Sequence, residues 1–182
     1  MTVPNGSGTI TGAINGYTVT TPRSVVSVVT PTSFSVYISD RADLCAILQA
    51  GGSAKSSSFL RFGAVAGAAK VWPAAAYTYP SSGGGTGGGT GGGGGGGGAG
   101  TGMHNALIAT ADANCTLTGY TQASAGNFTT SGAVDPASAT TVDGTFDITF
   151  SVGAQSGQFK GTFKAPVCPG AKEIPLNTTN CK

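Results

Sequence analysis

Thr145-Phe146-Asp147-Ile148-Thr149-Phe150-Ser151-Val152 decides the fold, because apolar and polar residues alternate along it without a break. Only a strand, with its period of two, puts Phe146, Ile148, Phe150 and Val152 on one face and Asp147, Thr149 and Ser151 on the other. Gly153-Ala154-Gln155-Ser156-Gly157 reads as a turn. It leads into Gln158-Phe159-Lys160-Gly161-Thr162-Phe163-Lys164-Ala165-Pro166-Val167, where Phe159 and Phe163 continue the apolar face across the hairpin. The unit predicted is a half-buried antiparallel hairpin.

Upstream the same logic recurs in shorter runs. Thr9-Ile10-Thr11-Gly12-Ala13-Ile14 alternates, Asn15-Gly16 is a strong hairpin signal, and Tyr17-Thr18-Val19-Thr20 alternates again. A β-branched run at 24–29 and Ser33-Phe34-Ser35-Val36-Tyr37-Ile38 follow, the latter with Phe34, Val36 and Ile38 on one face. Further strands are predicted at 57–62, at 105–110 and, more weakly, at 126–134. Val71-Trp72-Pro73 and Ala76-Tyr77-Thr78-Tyr79-Pro80 read as an edge strand or extended arm with proline at its margins.

One helix interrupts the pattern. Asp40 is the expected N-cap, with Asp43 three residues on; Leu44, Ile47 and Leu48 recur at helical spacing, and Gly51-Gly52 stops it. A helix of about ten residues is marginal alone, so a bridge from Cys45 to a strand would pin it. The expectation is a single all-β domain over 1–182, a sandwich or partly open barrel of about eight or nine antiparallel strands with one short helix. A Gly-rich loop at 81–102 adds nothing to its core.

Cys45, Cys115, Cys168 and Cys181 are even in number and lack the close spacing of zinc or redox motifs. We read two disulfides and hence an oxidising compartment, four reduced buried thiols being the alternative. Of three pairings, Cys45–Cys115 with Cys168–Cys181 is preferred. Charged residues make up 9% of the chain, net +2, and the nine Lys and Arg are scattered singly. That leaves no basic footprint for nucleic acid. No apolar run is long enough for a transmembrane helix. The opening Met1-Thr2-Val3-Pro4-Asn5-Gly6 has no apolar h-region, so export implies a signal peptide already removed.

Chemistry-bearing clusters are hard to find. His104 is the only histidine, and no Gly-x-Ser-x-Gly elbow occurs. The carboxylates Asp40, Asp43, Asp112, Asp135, Asp143, Asp147 and Glu173 each have a structural role at hand, in a cap, a turn or a polar strand face. A calcium site would need Asp112, Asp135 or Asp143 gathered with loop carbonyls, without a loop motif to announce it. The glycine tract ends in Met103-His104-Asn105 instead of the Lys-Ser/Thr of a phosphate loop. It is a flexible surface loop or, alternatively, an ordered polyglycine segment packed on a neighbour. Sequons at Asn5, Asn114, Asn127 and Asn177 receive no role. No catalytic, cofactor or metal residue is assigned. Trp72, Tyr77 and Tyr79 are the candidate binding patch if their rings are exposed; otherwise they pack on the core.

Ile38-Ser39-Asp40-Arg41-Ala42-Asp43-Leu44-Cys45, Thr110-Ala111-Asp112-Ala113-Asn114-Cys115, Gly144-Thr145-Phe146-Asp147-Ile148-Thr149-Phe150 and Lys164-Ala165-Pro166-Val167-Cys168 together resemble uncharacterised secreted proteins and lipoproteins of myxobacteria and related soil bacteria. The resemblance covers most of the chain except the glycine tract, and its motifs are structural. It implies export, with a lipidated cysteine often at the start of such proteins. The function expected is that of a non-enzymatic extracellular or cell-surface structural protein, a subunit of an assembly or matrix that partners with itself. The alternative is a monomeric adhesion module for glycan or protein at Trp72, Tyr77 and Tyr79.

Overall fold

The structure, a computed structural model, describes residues 5–14, 17, 21–51, 56–79, 103–114 and 117–173. Its elements in chain order are β1 (Ser7–Thr11), β2 (Ser24–Thr30), β3 (Ser33–Ser39), α1 (Leu44–Gln49), β4 (Ser57–Val65), β5 (Ala76–Tyr79), β6 (Met103–Ala111), β7 (Leu117–Thr130), β8 (Thr141–Val152) and β9 (Gln155–Pro166). The protein is all-β, with one small helix.

The strands form one antiparallel path, β1-β9-β8-β7-β6-β4-β3-β2, with β5 branching onto β7. Long β7 makes the corner. Residues up to Gln122 pair with β6, and residues from Ala123 pair with β8, after a register shift between Ala123 and Ala125. Such a bulge bends and twists a strand. Past the corner β5 occupies the edge that β6 has left, Tyr77 opposite Phe128. At the far end the path nearly closes on itself. Ser27 bridges Val167 in parallel, Cys168 N–H donates to the Ser27 carbonyl at 2.8 Å, and Gly6 N–H donates to Val25 at 3.0 Å.

The hairpin read first is observed, but tighter than expected. Val152 pairs with Gln155, leaving Gly153 and Ala154 as a two-residue turn. Gly153 has φ 59° and Ala154 keeps a negative φ, as in the primed turns whose twist suits a hairpin. Residues 155–157, expected in the turn, therefore belong to β9. At 14 residues β7 is also longer than expected. Its first half, Leu117-Thr118-Gly119-Tyr120-Thr121-Gln122-Ala123, does not alternate and carries no periodic signal. Ile14 and Tyr17 exchange backbone hydrogen bonds as a hairpin there requires; Asn15 and Gly16 lie outside the described residues, as does the glycine loop at 81–102.

Two apolar clusters result. The interior one is built from alternate residues of every strand, among them Phe34, Phe62, Phe128, Phe146, Phe150, Phe159 and Phe163. Two glycines make room for it: opposite Phe146 a Cβ on Gly161 would lie 3.0 Å from the ring tip, and one on Gly144 2.9 Å from that of Phe163. The second cluster lies on the outer face of β2, β3, β4 and β6, where α1 and the segment after β9 cover Val26, Val28, Tyr37, Phe59, Leu107 and Ala109. This second cover is why β2 carries Val25, Val26, Val28 and Val29 on both faces and why every residue of β3, its three serines included, is buried.

The cover is stapled by a disulfide between Cys45 of α1 and Cys168 beyond β9, Cα atoms 5.7 Å apart and 123 residues apart in sequence. Both expected pairings are thereby corrected, since each assigned a different partner to one of these two cysteines. The reason is topological: sheet closure at Ser27–Val167 delivers the end of β9 beneath α1. Cys115 and Cys181 lie outside the described residues, and the structure shows one disulfide where two were expected. The helix also starts later than expected. Asp43 holds the N-cap position without a side-chain capping bond to the helix, while the Asp40 carboxylate accepts the Ser58 amide at 2.9 Å and so anchors β4.

Candidate functional site

The three rings expected as a binding patch are core residues. Trp72 and Tyr77 are fully buried and Tyr79 is 7% exposed. Trp72 bridges Val134 and meets Phe34 edge-on at 5.4 Å; Tyr77 stacks on Phe128 at 4.8 Å. The Tyr77 hydroxyl donates to the Pro73 carbonyl at 2.6 Å, and that of Tyr79 to Asn105 at 2.8 Å. Burial pushes both phenols up. The physical reason is the β7 corner, which folds β5 inward over the end of the interior cluster. His104 is drawn in too, its ring edge-on to Tyr77 at 5.1 Å and its Nδ1 3.3 Å from the Thr78 carbonyl, and burial lowers its pKa.

The carboxylates disperse. Asp43 pairs with Arg41 at 2.8 Å on the surface. Asp112 accepts the Asn114 amide and Asp135 the Ala137 amide, each within its own loop. Glu173 lies across the outer face, paired with buried Arg61 and accepting from Ser33 at 3.1 Å and Ser35 at 2.8 Å. The Arg61 guanidinium sits 5.6 Å from the Tyr37 ring centre. This group straps the chain beyond β9 onto β3 and β4. Among the described residues no three His, Cys, Asp or Glu side chains gather as metal ligands.

What remains is a sheet face that no other element among the described residues covers, with Thr9, Asp143, Thr145, Lys160, Thr162 and Lys164 exposed. On the outer side of β1, β9, β8 and β7, cross-strand register lines four threonines in a row: Thr9 beside Thr162, Thr162 beside Thr145, Thr145 beside Thr129. Thr9 and Thr162 share a hydroxyl–hydroxyl bond of 3.1 Å. On one side of this row lie Thr11, Lys160, Asp147 and Asn127; on the other lie Ser7, Lys164 and Asp143. A shallow groove of about 390 Å³ runs between Thr9, Thr11, Asn127, Asp147, Lys160 and Thr162. Hydroxyls, amides and single charges of both signs present a surface suited to hydrogen bonding and ion pairing.

Sequence reasoning passed over this face because each of its residues is an ordinary outward position of a half-buried strand. A signal was nonetheless there. Asp143-Gly144-Thr145-Phe146-Asp147 and Lys160-Gly161-Thr162-Phe163-Lys164 are the same pentapeptide with acid exchanged for base, and the structure pairs them antiparallel about Thr145 and Thr162. No protein family, curated protein or solved structure matches the chain.

Proposed function

We propose that this chain is an exported, non-enzymatic structural domain that works by packing its uncovered hydroxyl-rich face within an extracellular assembly. The observation that carries the proposal is the asymmetry of the two outer faces. One is sealed by α1, the Cys45–Cys168 bridge and the Arg61–Glu173 strap, while the other presents a four-strand array of threonine with paired acid and base columns. A disulfide between structural elements suits an oxidising compartment. With the rings at 72, 77 and 79 inside the core, the adhesion alternative has no aromatic platform there.

The test is negative-stain imaging and light scattering of purified protein across a wide concentration range. Ordered oligomers, filaments or sheets are expected to grow with concentration. A monodisperse monomer of one chain at every concentration refutes the proposal.

A further inference from the structure

From the charge pattern of the uncovered face we infer that its partner is a second copy of the same face, joined by a twofold axis running parallel to the strands between β8 and β9. This inference rests on the proposed structural role and names the contact through which it begins.

The argument is one of register. Asp143 faces Lys164 across the hairpin, Thr145 faces Thr162, and Asp147 faces Lys160. All the acid of this patch is on β8 and all the base on β9. Rotation about an axis between the two strands lays β8 of each copy over β9 of the other while keeping height along the strands. Each Asp143 then meets a Lys164 of the other copy, each Asp147 meets a Lys160, and the threonines meet at the centre. An isologous interface must be self-complementary in this way, and few arrangements of four charges satisfy it.

No ion pair among the described residues uses these four charges; the ion pairs are Arg41–Asp43 and Arg61–Glu173, neither on this face. Lys160, Lys164 and Asp143 are exposed; Asp147 is half-buried and accepts a hydrogen bond from Gln158 Nε2 at 2.5 Å, a neutral partner that leaves its charge uncompensated. In a closed pair each lysine would lie between an aspartate of its own chain and one of the other, an alternating arrangement that favours the correct partner over wrong ones. The area is that of a small interface. β8 and β9 have twelve residues each and β1 has five, and β7 joins this sheet from Ala123 to Thr130. At about 3.4 Å per residue and about 4.8 Å between strands the face is on the order of 600 Å², at the low end of the range for a specific interface, ~1,200 Å² over both partners.

The experiment is sedimentation equilibrium on three chains. Wild type is expected to dimerise, more weakly as salt rises. Lys160→Asp with Lys164→Asp makes all four positions acidic. It takes the net charge from +2 to −2 (two lysines lost, two aspartates gained), so overall repulsion is unchanged in size. It should weaken the dimer roughly 100-fold or more, because like charges are brought together. Adding Asp143→Lys and Asp147→Lys swaps the two columns, restores net +2 and should restore the dimer. Association that survives the double variant, or is not recovered by the fourfold swap, overturns the inference while leaving self-assembly standing. A wild type that stays monomeric overturns both and leaves the face to a different partner, such as a polysaccharide.

Discussion

Arg61 shows how one side chain organises a whole cover. It is 5% exposed on a face otherwise packed with apolar groups, and its charge is met by Glu173, by the Ser35 hydroxyl at 3.3 Å and by the Tyr37 ring. Removing one partner of a buried pair costs more than the pair contributes, because the other charge is left stranded. Glu173 retains 27% exposure, which tempers the effect. Arg61→Ala should lower unfolding free energy by about 2 kcal/mol. Arg61→Met combined with Glu173→Gln should recover most of that loss, as chemical denaturation would show. Equal losses in both variants would mean that packing, not charge, holds the strap. His104 supplies a pH signature at the same scale. Burial lowers its pKa below the ordinary 6.5, with the Thr78 carbonyl opposing and the charge of Lys70 assisting. The unfolded chain therefore binds a proton in a window where the folded chain does not. Stability should fall as pH drops from 6.5 toward the lowered value. His104→Gln should flatten that part of the profile; a profile that keeps its slope would assign it to the carboxylates.

At the scale of elements, the hairpin of β8 and β9 was legible because period two is written in large side chains, Phe146, Ile148, Phe150, Phe159 and Phe163. The first half of β7 was not, because Leu117 and Tyr120 are three residues apart and fit no period-two rhythm, and the strand changes partners at its corner. Asp40 misled because a carboxylate before a helix and one anchoring a strand amide look identical in sequence. The cysteine pairing was illegible for a further reason: it depends on how the sheet closes, a contact between residues 27 and 167 that no local pattern encodes. The bridge closes a loop of more than 120 residues, worth about 5 kcal/mol in the chain-entropy picture. It also fixes a helix of six residues, too short to persist alone. Cys45→Ala should therefore cost about 2–5 kcal/mol. The loss should come with binding of a fluorescent apolar dye, as α1 lifts from Val26, Tyr37, Phe59 and Leu107. A destabilised chain without dye binding would show that α1 stays seated on packing alone.

Across the whole molecule, protection from solvent is distributed unevenly, and this sets an order of local opening. β3 and β4 are each paired on both sides, to β2 and β4 and to β3 and β6, and their sheet is covered inside and out. β8 and β9 are also paired on both sides, but one of their faces meets water. β5 is four residues long and pairs with β7 alone. Local opening exposes least where few buried contacts and few ladder bonds must be broken. Amide hydrogen exchange in the monomer should therefore be slowest in β3 and β4, intermediate in β8 and β9 and fastest in β5. Reducing the disulfide should move β3 and β4 toward the rates of β8 and β9, because it unseals the second face, and should leave β5 unchanged. If the hairpin of β8 and β9 were instead the slowest segment in dilute protein, its outer face would already be covered, by a copy or by another partner. The same measurement, repeated as concentration is raised, then reads the open face directly: protection should grow along β1, β9, β8 and the second half of β7 and nowhere else.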